Sequence, residues 1–375
     1  MYLQPWTRPK KRRVWPWLLS VVIAFSAAWY LYNKQTAIVE SVRGPLPTPI
    51  PTEISAVEHL AVGDGLFEEG KYDEAIAEYQ RAAELDPTQA SAYARWGRIL
   101  ALRHAGDGAV RVARRAVEID AESAENQAIL GMALDWNGQT TEAVNACTKA
   151  IQLDPDLALG HAYLAEALGD DGRVVEAYET AQKAVQLDAQ DVFVRRNLGY
   201  IYELMGRYQD AIREFEAALD VNSRMAFVYL DLGRNYRALG KLQEATEHFQ
   251  RATELDPKDP QGHDQLGWTY LTRGLYEAAT AELQKALQVD PNFGTAYGHL
   301  GVAYYVQRNY EEAINYLEKA IKLGARSEEY YYELGFSYAY IDQCDKAVPW
   351  FEQALLLYPD SQMAKQGLRS CQKSK

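Results

Sequence analysis

The chain has 375 residues, 48% hydrophobic and 24% charged, with a net charge of −13. That composition excludes a disordered or low-complexity chain. The charge is split: residues 1–43 carry seven Lys/Arg against Glu40 alone and stand at +6, which leaves −19 for the rest. A body so acidic excludes a general nucleic-acid role, because phosphate binding needs a basic surface. Its one basic run, Arg111, Arg114 and Arg115, reads as a solvated helix face.

From the N-terminus, residues 1–13 form a basic segment containing RPKKRR (8–13). Residues 14–32, VWPWLLSVVIAFSAAWYLY, hold no charge. As a helix they span about 28 Å, close to the thickness of a bilayer core. Trp15 and Trp17 stand at one end, Trp29, Tyr30 and Tyr32 at the other, where interfacial anchoring places aromatics. Residues 14–32 are therefore expected to be a single transmembrane helix. The competing reading is a cleaved signal peptide with Ser26-Ala27-Ala28 as its small-residue site. Against it, the apolar stretch runs on past that site. No Cys follows the stretch, which excludes a bacterial lipoprotein.

The excess of Lys/Arg before the span places the N-terminus in the cytoplasm and the body outside it, in a bacterial cell membrane. Residues 33–54 read as a linker. Its GPLPTPIPT run (44–52) is a semi-rigid polyproline II spacer of about 28 Å.

From Ala56 the chain repeats with a period of 34. Nine frames start at 56, 90, 124, 158, 192, 226, 260, 294 and 328, end at Ser361 and carry no insertion. Position 20 is Ala in all nine, from Ala75 to Ala347, and so is position 27, from Ala82 to Ala354. Position 8 is Gly in eight frames and Ala165 in the fourth. Small residues held at such places mean that two helices approach closely there, since a larger side chain would overpack the contact. Apolar residues at 4/7/8/11 and 20/21/24/27/28 follow a helical period in two segments. Pro87, Pro155, Pro257, Pro291 and Pro359 close five frames where a helix must stop. Ser55-Ala-Val-Glu58 is a capping box ahead of the first helix. Residues 362–375 are mostly polar and read as an end-capping helix and tail.

A 34-residue helix-turn-helix with Leu-Gly at 7–8, Tyr at 11, Ala at 20 and 27 and Pro at 32 resembles the tetratricopeptide repeat. The resemblance covers residues 56–361. It implies an all-α fold, a right-handed superhelical α-solenoid of nine repeats. Stacking lets each hairpin bury the apolar face that it cannot bury alone. The first helix of each repeat is expected to line a concave groove.

No catalytic motif is found: G-x-x-x-x-G-K, G-x-S-x-G, H-E-x-x-H and C-x-x-C are all missing. The chain is therefore read as a non-enzyme without metal or cofactor. His59, His161 and His263 share frame position 4 and read as packing residues. Asp and Glu are read as helix-start and outer-face residues. Cys147 reads as a core thiol. A Cys344–Cys371 bridge is disfavoured, because antiparallel packing about residue 360 sets Cys371 about 6 Å short along the axis, to which the spacing of the helix axes adds.

In the family, positions 2, 5, 9 and 12 face the groove. In frames 1–4 Phe67 is the only aromatic there, whereas frames 5–9 place Phe193, Tyr200, Phe227, Trp268, Tyr305, Tyr332 and Phe336 at these positions. Arg196, Arg234 and Arg237 join them. These ten residues are the candidate ligand-binding set, with Tyr200, Arg234 and Trp268 as a ladder for an extended peptide with apolar and acidic side chains. Packing between neighbouring helices is the rival reading. The Lys/Asn clamp with which some family members hold a chaperone carboxylate is not reproduced: Arg196 is followed by Tyr200, Asp231, Gln261 and Gln265. The expected function is a membrane-anchored scaffold that binds a partner protein or peptide, mainly in repeats 5–9. The alternatives are a carbohydrate-binding accessory of an envelope polysaccharide system and a cytoplasmic, membrane-tethered assembly factor.

Overall fold

A computed structural model describes residues 15–43 and 54–373, with side chains for 20–34 and 54–372. The chain divides into two units, residues 1–54 and 55–375. The basic run 8–13, the proline-rich run 44–52 and the side chains of Trp15 and Trp17 lie outside the described residues.

In the first unit, helix α1 (Trp15–Arg43) takes in the apolar stretch and continues past it through Lys34 and Glu40. Among the described residues no helix is long and apolar enough to cross a membrane. This corrects the expected transmembrane helix at 14–32. With it fall the single-pass placement, the cytoplasmic N-terminus with extracytoplasmic body, and the membrane tether. Inside the stretch Ser26 turns its hydroxyl back onto the Val22 carbonyl at 2.6 Å, and beyond it the helix carries Lys34 and Glu40.

Among its described residues the second unit is helical throughout, a run of α-helices joined by short turns. They are α2 (Ala56–Glu68), α3 (Tyr72–Leu85), α4 (Ala90–Leu102), α5 (Asp107–Ile119), α6 (Ala124–Trp136) and α7 (Thr140–Leu153). There follow α8 (Ala158–Asp170), α9 (Val174–Leu187), α10 (Val192–Leu204), α11 (Tyr208–Val221), α12 (Ala226–Ala238) and α13 (Leu242–Leu255). The last are α14 (Pro260–Thr272), α15 (Tyr276–Val289), α16 (Gly294–Val306), α17 (Tyr310–Lys322), α18 (Glu328–Tyr340), α19 (Cys344–Leu357) and α20 (Gln362–Lys373). Each even-numbered helix pairs with the odd one after it, and successive pairs stack. The Ser55–Glu58 capping box opens α2, with both reciprocal hydrogen bonds made. Asp86, Asp154 and Asp290 close second helices by accepting the backbone N–H two residues on, at 2.9, 3.0 and 2.9 Å.

The small residues seen in the sequence are the closest contacts of the fold. The alanines at positions 20 and 27 are at most 2% exposed in every frame. A Cβ at Gly199, Gly233, Gly267 or Gly301 would collide with Phe215, Phe249, Leu283 or Leu317, the residue at position 24 of the same frame. By that register Ala165, the one Ala at position 8, stands opposite Ala181, so the extra methyl is matched by a smaller partner. The turn after each first helix passes through a left-handed residue. It is Gly in six frames and His104, Arg308 or Asp342 in the others.

The array also closes on itself. Arg103 at the end of α4 pairs with Asp256 after α13 at 2.7 Å and with Asp73 at 2.8 Å. Asn222 donates to the Glu68 carbonyl at 3.0 Å, and Phe67 stacks on Phe193 with centroids 6.3 Å apart. The beginning of the array therefore touches its middle.

Cys147 is a buried free thiol. Cys344 and Cys371, disfavoured as a pair by helix geometry, are bridged, with Cα atoms 5.4 Å apart. The expectation added the full spacing between helix axes. Facing Cα atoms lie about 2.3 Å in from each axis, so helices ~8–10 Å apart bring them to about 3.4–5.4 Å; the observed 5.4 Å also leaves no room for the expected offset of about 6 Å along the axis. Ala347, Ala354 and Ala364, all fully buried, let α20 approach α19, and a Cβ at Gly367 would collide with Phe351.

Candidate functional site

First helices stack so that equivalent residues form lines across consecutive pairs. One such face, from α6 through α8 and α10 to α12, surrounds a cavity of about 510 Å³. His104, just past α4, and Gln261, at the start of α14, also line it, so the closure of the array completes its wall. Gly138 and Asp170 are exposed to solvent at its edge.

The lining is charged. Five carboxyl groups (Asp135, Glu166, Asp170, Glu203, Asp231) face two guanidiniums (Arg196, Arg234). Arg196 is buried between two acids: Nε donates to Asp231 at 2.7 Å and Nη1 to Glu166. Burial alone would lower this guanidinium, but Asp231 and Glu166 hold it well above its ordinary range, so it stays charged. Its plane lies over the rings of Trp136 and Tyr200, 5.1 and 5.2 Å from the centroids. Trp136 donates its indole N–H to Glu166 at 3.0 Å and stacks its ring on His104. Arg234 pairs with Asp231 and, at 3.5 Å, with Glu203. The Tyr200 hydroxyl donates to Asp170.

Asp135 is the exception. It is 5% exposed, lines the cavity, and neither carboxyl oxygen has a hydrogen-bond partner. Burial raises it to about 8, with Glu166 and Asp170 adding to the shift. Arg196 and the Thr140 hydroxyl pull the other way, though Thr140 makes no hydrogen bond of ordinary geometry with it.

The ten expected groove residues fall into four places. Tyr200, Arg196, Phe227 and Arg234 line the cavity. Phe193 is buried beside it, stacked on Phe227 at 5.2 Å and on Phe67. Further along, Trp268 is half-buried and stacks on His299 at 4.3 Å, while Arg237 donates to Gln265 at 2.6 Å over the Phe249 ring. Toward the end of the array Tyr305 meets Tyr310 and Tyr340, Phe336 meets Tyr340 and Phe351, and Tyr332 packs edge-on against Phe336. Of the Tyr200–Arg234–Trp268 ladder, the first two share the cavity; Trp268 is not part of its lining.

Reading Asp and Glu as outer-face residues missed Asp135, Glu166, Asp231, Asp264 and Glu333, all buried. A signal was present: each stands on a first helix at position 5, 6, 9 or 12, among the inward-facing residues. His59 and His263 each reach a glutamate on the paired second helix, Glu78 at 2.5 Å and Glu282 at 2.8 Å. The shared position is thus a shared interhelix contact.

Profiles of the tetratricopeptide repeat match residues 63–102, 124–157, 192–258, 265–328 and 328–361. The chain belongs to the tetratricopeptide repeat family. The structure is similar to a chain of the APC/C hetero-tetramer Cut9–Hcn1, with a TM-score of 0.72 and 17% identity. That match covers 84% of this chain and 62% of the other, so this chain spans under two thirds of its neighbour's length. It is also similar to the human IFIT1 dimer with PPP-AAAA, with a TM-score of 0.54 and 19% identity over 80% of this chain and 82% of that one. At such identities the likeness is one of fold. No curated protein matches the sequence. Tetratricopeptide arrays are typically non-catalytic scaffolds for protein or peptide partners, and this chain has their all-helical solenoid fold.

Proposed function

We propose that this tetratricopeptide array is a non-catalytic scaffold that holds a segment of a partner protein against its first-helix face, in the cavity between α6 and α12 and along the aromatics that follow it. The observation that carries this reading is the cavity itself. Its volume of about 510 Å³ admits a few side chains, and its wall combines buried aromatic surface with charged groups that can orient a ligand. Tyr200 sits in this wall, and Trp268 extends it as a half-buried aromatic anchor of the type that dominates binding energy.

The test is capture of a partner by the full chain, its identification by mass spectrometry, and measurement of its affinity for variants. Tyr200→Ala and Trp268→Ala should each weaken binding about tenfold or more with helical content unchanged. Val175→Ala, on a second helix and 75% exposed, should leave it unchanged. Equal affinity of the wild type and the Tyr200/Trp268 double variant would overturn the reading and leave the aromatics as packing.

A further inference from the structure

We propose that the cavity receives a basic group, the alkylammonium or guanidinium of a lysine or arginine side chain in an extended partner segment, with Asp135 as its counter-charge. The inference rests on the scaffold reading and specifies the chemistry of what the scaffold holds.

Three observations carry it. The cavity's own cations are already committed: Arg196 to Glu166 and Asp231, Arg234 to Asp231 and Glu203. An acidic ligand, which the Tyr200–Arg234–Trp268 ladder suggests from sequence, would have to displace these pairs in a wall where carboxyls outnumber guanidiniums five to two. Asp135, in contrast, has two buried oxygens with no donor, a deficit that an N–H-bearing cation removes. Finally, three first helices end at the cavity. Asp135 and Trp136 finish α6, Asp170 finishes α8, and Glu203 and Leu204 finish α10. Helix C-termini carry partial negative charge and favour cations within the last turn. The faces of Trp136 are taken by His104 and Arg196, so the carboxyl, not the ring, is the receptor. Among the described residues no group of three or more His, Cys, Asp or Glu is placed to hold a metal ion.

The groups facing Asp135 set the pH behaviour. Glu166 and Asp170 on α8 oppose its ionisation, Arg196 on α10 favours it, and Thr140 on α7 favours it weakly. Glu203, Asp231, Arg234 and His104 stand further round the wall. The free carboxyl is held up to about 8. A cation binds the ionised form, so binding must expel a proton at neutral pH, and affinity should rise with pH and level off above about 8.

The experiment titrates the full chain with the tripeptide acetyl-Ala-Arg-Ala-amide, and with acetyl-Ala-Glu-Ala-amide for contrast, between pH 6 and pH 8.5. The arginine peptide should bind about tenfold more tightly at pH 7 than at pH 6, and the glutamate peptide should not compete. Asp135→Asn should abolish the pH dependence and weaken binding at least tenfold at pH 8.5. In the wild-type protein, which needs no substitution, the arginine peptide should shift the Asp135 carboxyl titration downward as followed by carbon-13 resonance. Equal binding of the two peptides, an unchanged affinity in Asp135→Asn, or an Asp135 titration indifferent to the peptide would overturn the proposal. If these fail while Tyr200→Ala and Trp268→Ala still release the partner, the charge assignment falls and the scaffold reading stands. If neither pair of results holds, both fall.

Discussion

Arg103 and Asp256 lie 153 positions apart and meet in a two-pronged ion pair, Nε to Oδ2 at 2.8 Å and Nη2 to Oδ1 at 2.7 Å. Both side chains are largely withdrawn from solvent, and Arg103 also holds Asp73, which Lys258 reaches from the other side at 2.9 Å. The pair ties α4 to the turn after α13 and completes the wall that His104 and Gln261 add to the cavity. Arg103→Ala leaves Asp256 buried without its cation and should cost about 3 kcal/mol. Chemical denaturation measures the loss. Small-angle scattering should show an expanded array, and amide exchange should speed up in α2–α5 before the rest.

The close approach of first and second helices gives a second prediction. Ala279 on α15 is fully buried, and a Cβ added at Gly267 would come within 3.1 Å of its carbonyl oxygen. Ala279→Leu should destabilise by about 1–3 kcal/mol through overpacking. A neutral result in thermal unfolding would mean that this contact has room to spare.

Stability should also depend on pH. Glu333 is buried on α18 with Oε2 unpaired, and burial together with Glu329 raises it to about 9. Its carboxyl is protonated in the folded chain but ionises near its ordinary value when unfolded. Between these values the folded state binds the extra proton, so stability falls as pH rises from about 4 to about 9 and is flat above that. Asp135, raised to about 8, acts in the same direction. Melting temperatures at pH 5, 7 and 9 should decline. Glu333→Gln, which keeps the shape and removes the titration, should make that decline shallower.

The Cys344–Cys371 bridge closes a short loop, its ends 27 residues apart, around α19 and most of α20. Cross-linking of that length stabilises by about 3–4 kcal/mol in the chain-entropy account. Because repeat arrays unfold by neighbouring units, the effect should stay local. Cys344→Ser should accelerate amide exchange in α18–α20 and leave α6–α12 as they were.

The array itself was legible in the sequence because its determinants are local and repeat. Alanine at positions 20 and 27, glycine at 8 and the period of 34 encode one helix-to-helix contact again and again, and each frame start is the first residue of a helix. Of the histidines at position 4, His59 and His263 make the same contact with a second-helix glutamate, while His161 meets the Pro155 carbonyl. Readings that depend on a sum or on distance fared otherwise. The apolar stretch at 14–32 supplied aromatic ends and no charge, but among the described residues no helix is long and apolar enough to cross a membrane. The Cys344–Cys371 bridge turned on how far facing Cα atoms sit inside their helix axes, which a residue count along the axis does not contain.

What the tertiary structure alone decided is where the array meets itself. Phe67 reaches Phe193 across nearly four frames, and Arg103 reaches Asp256 across four and a half, because small rotations between stacked pairs accumulate until distant frames touch. No single frame encodes that sum. It is the closure that stacks Phe67 on Phe193 and brings His104 and Gln261 to the cavity wall, beside acids that look like ordinary surface when read one at a time.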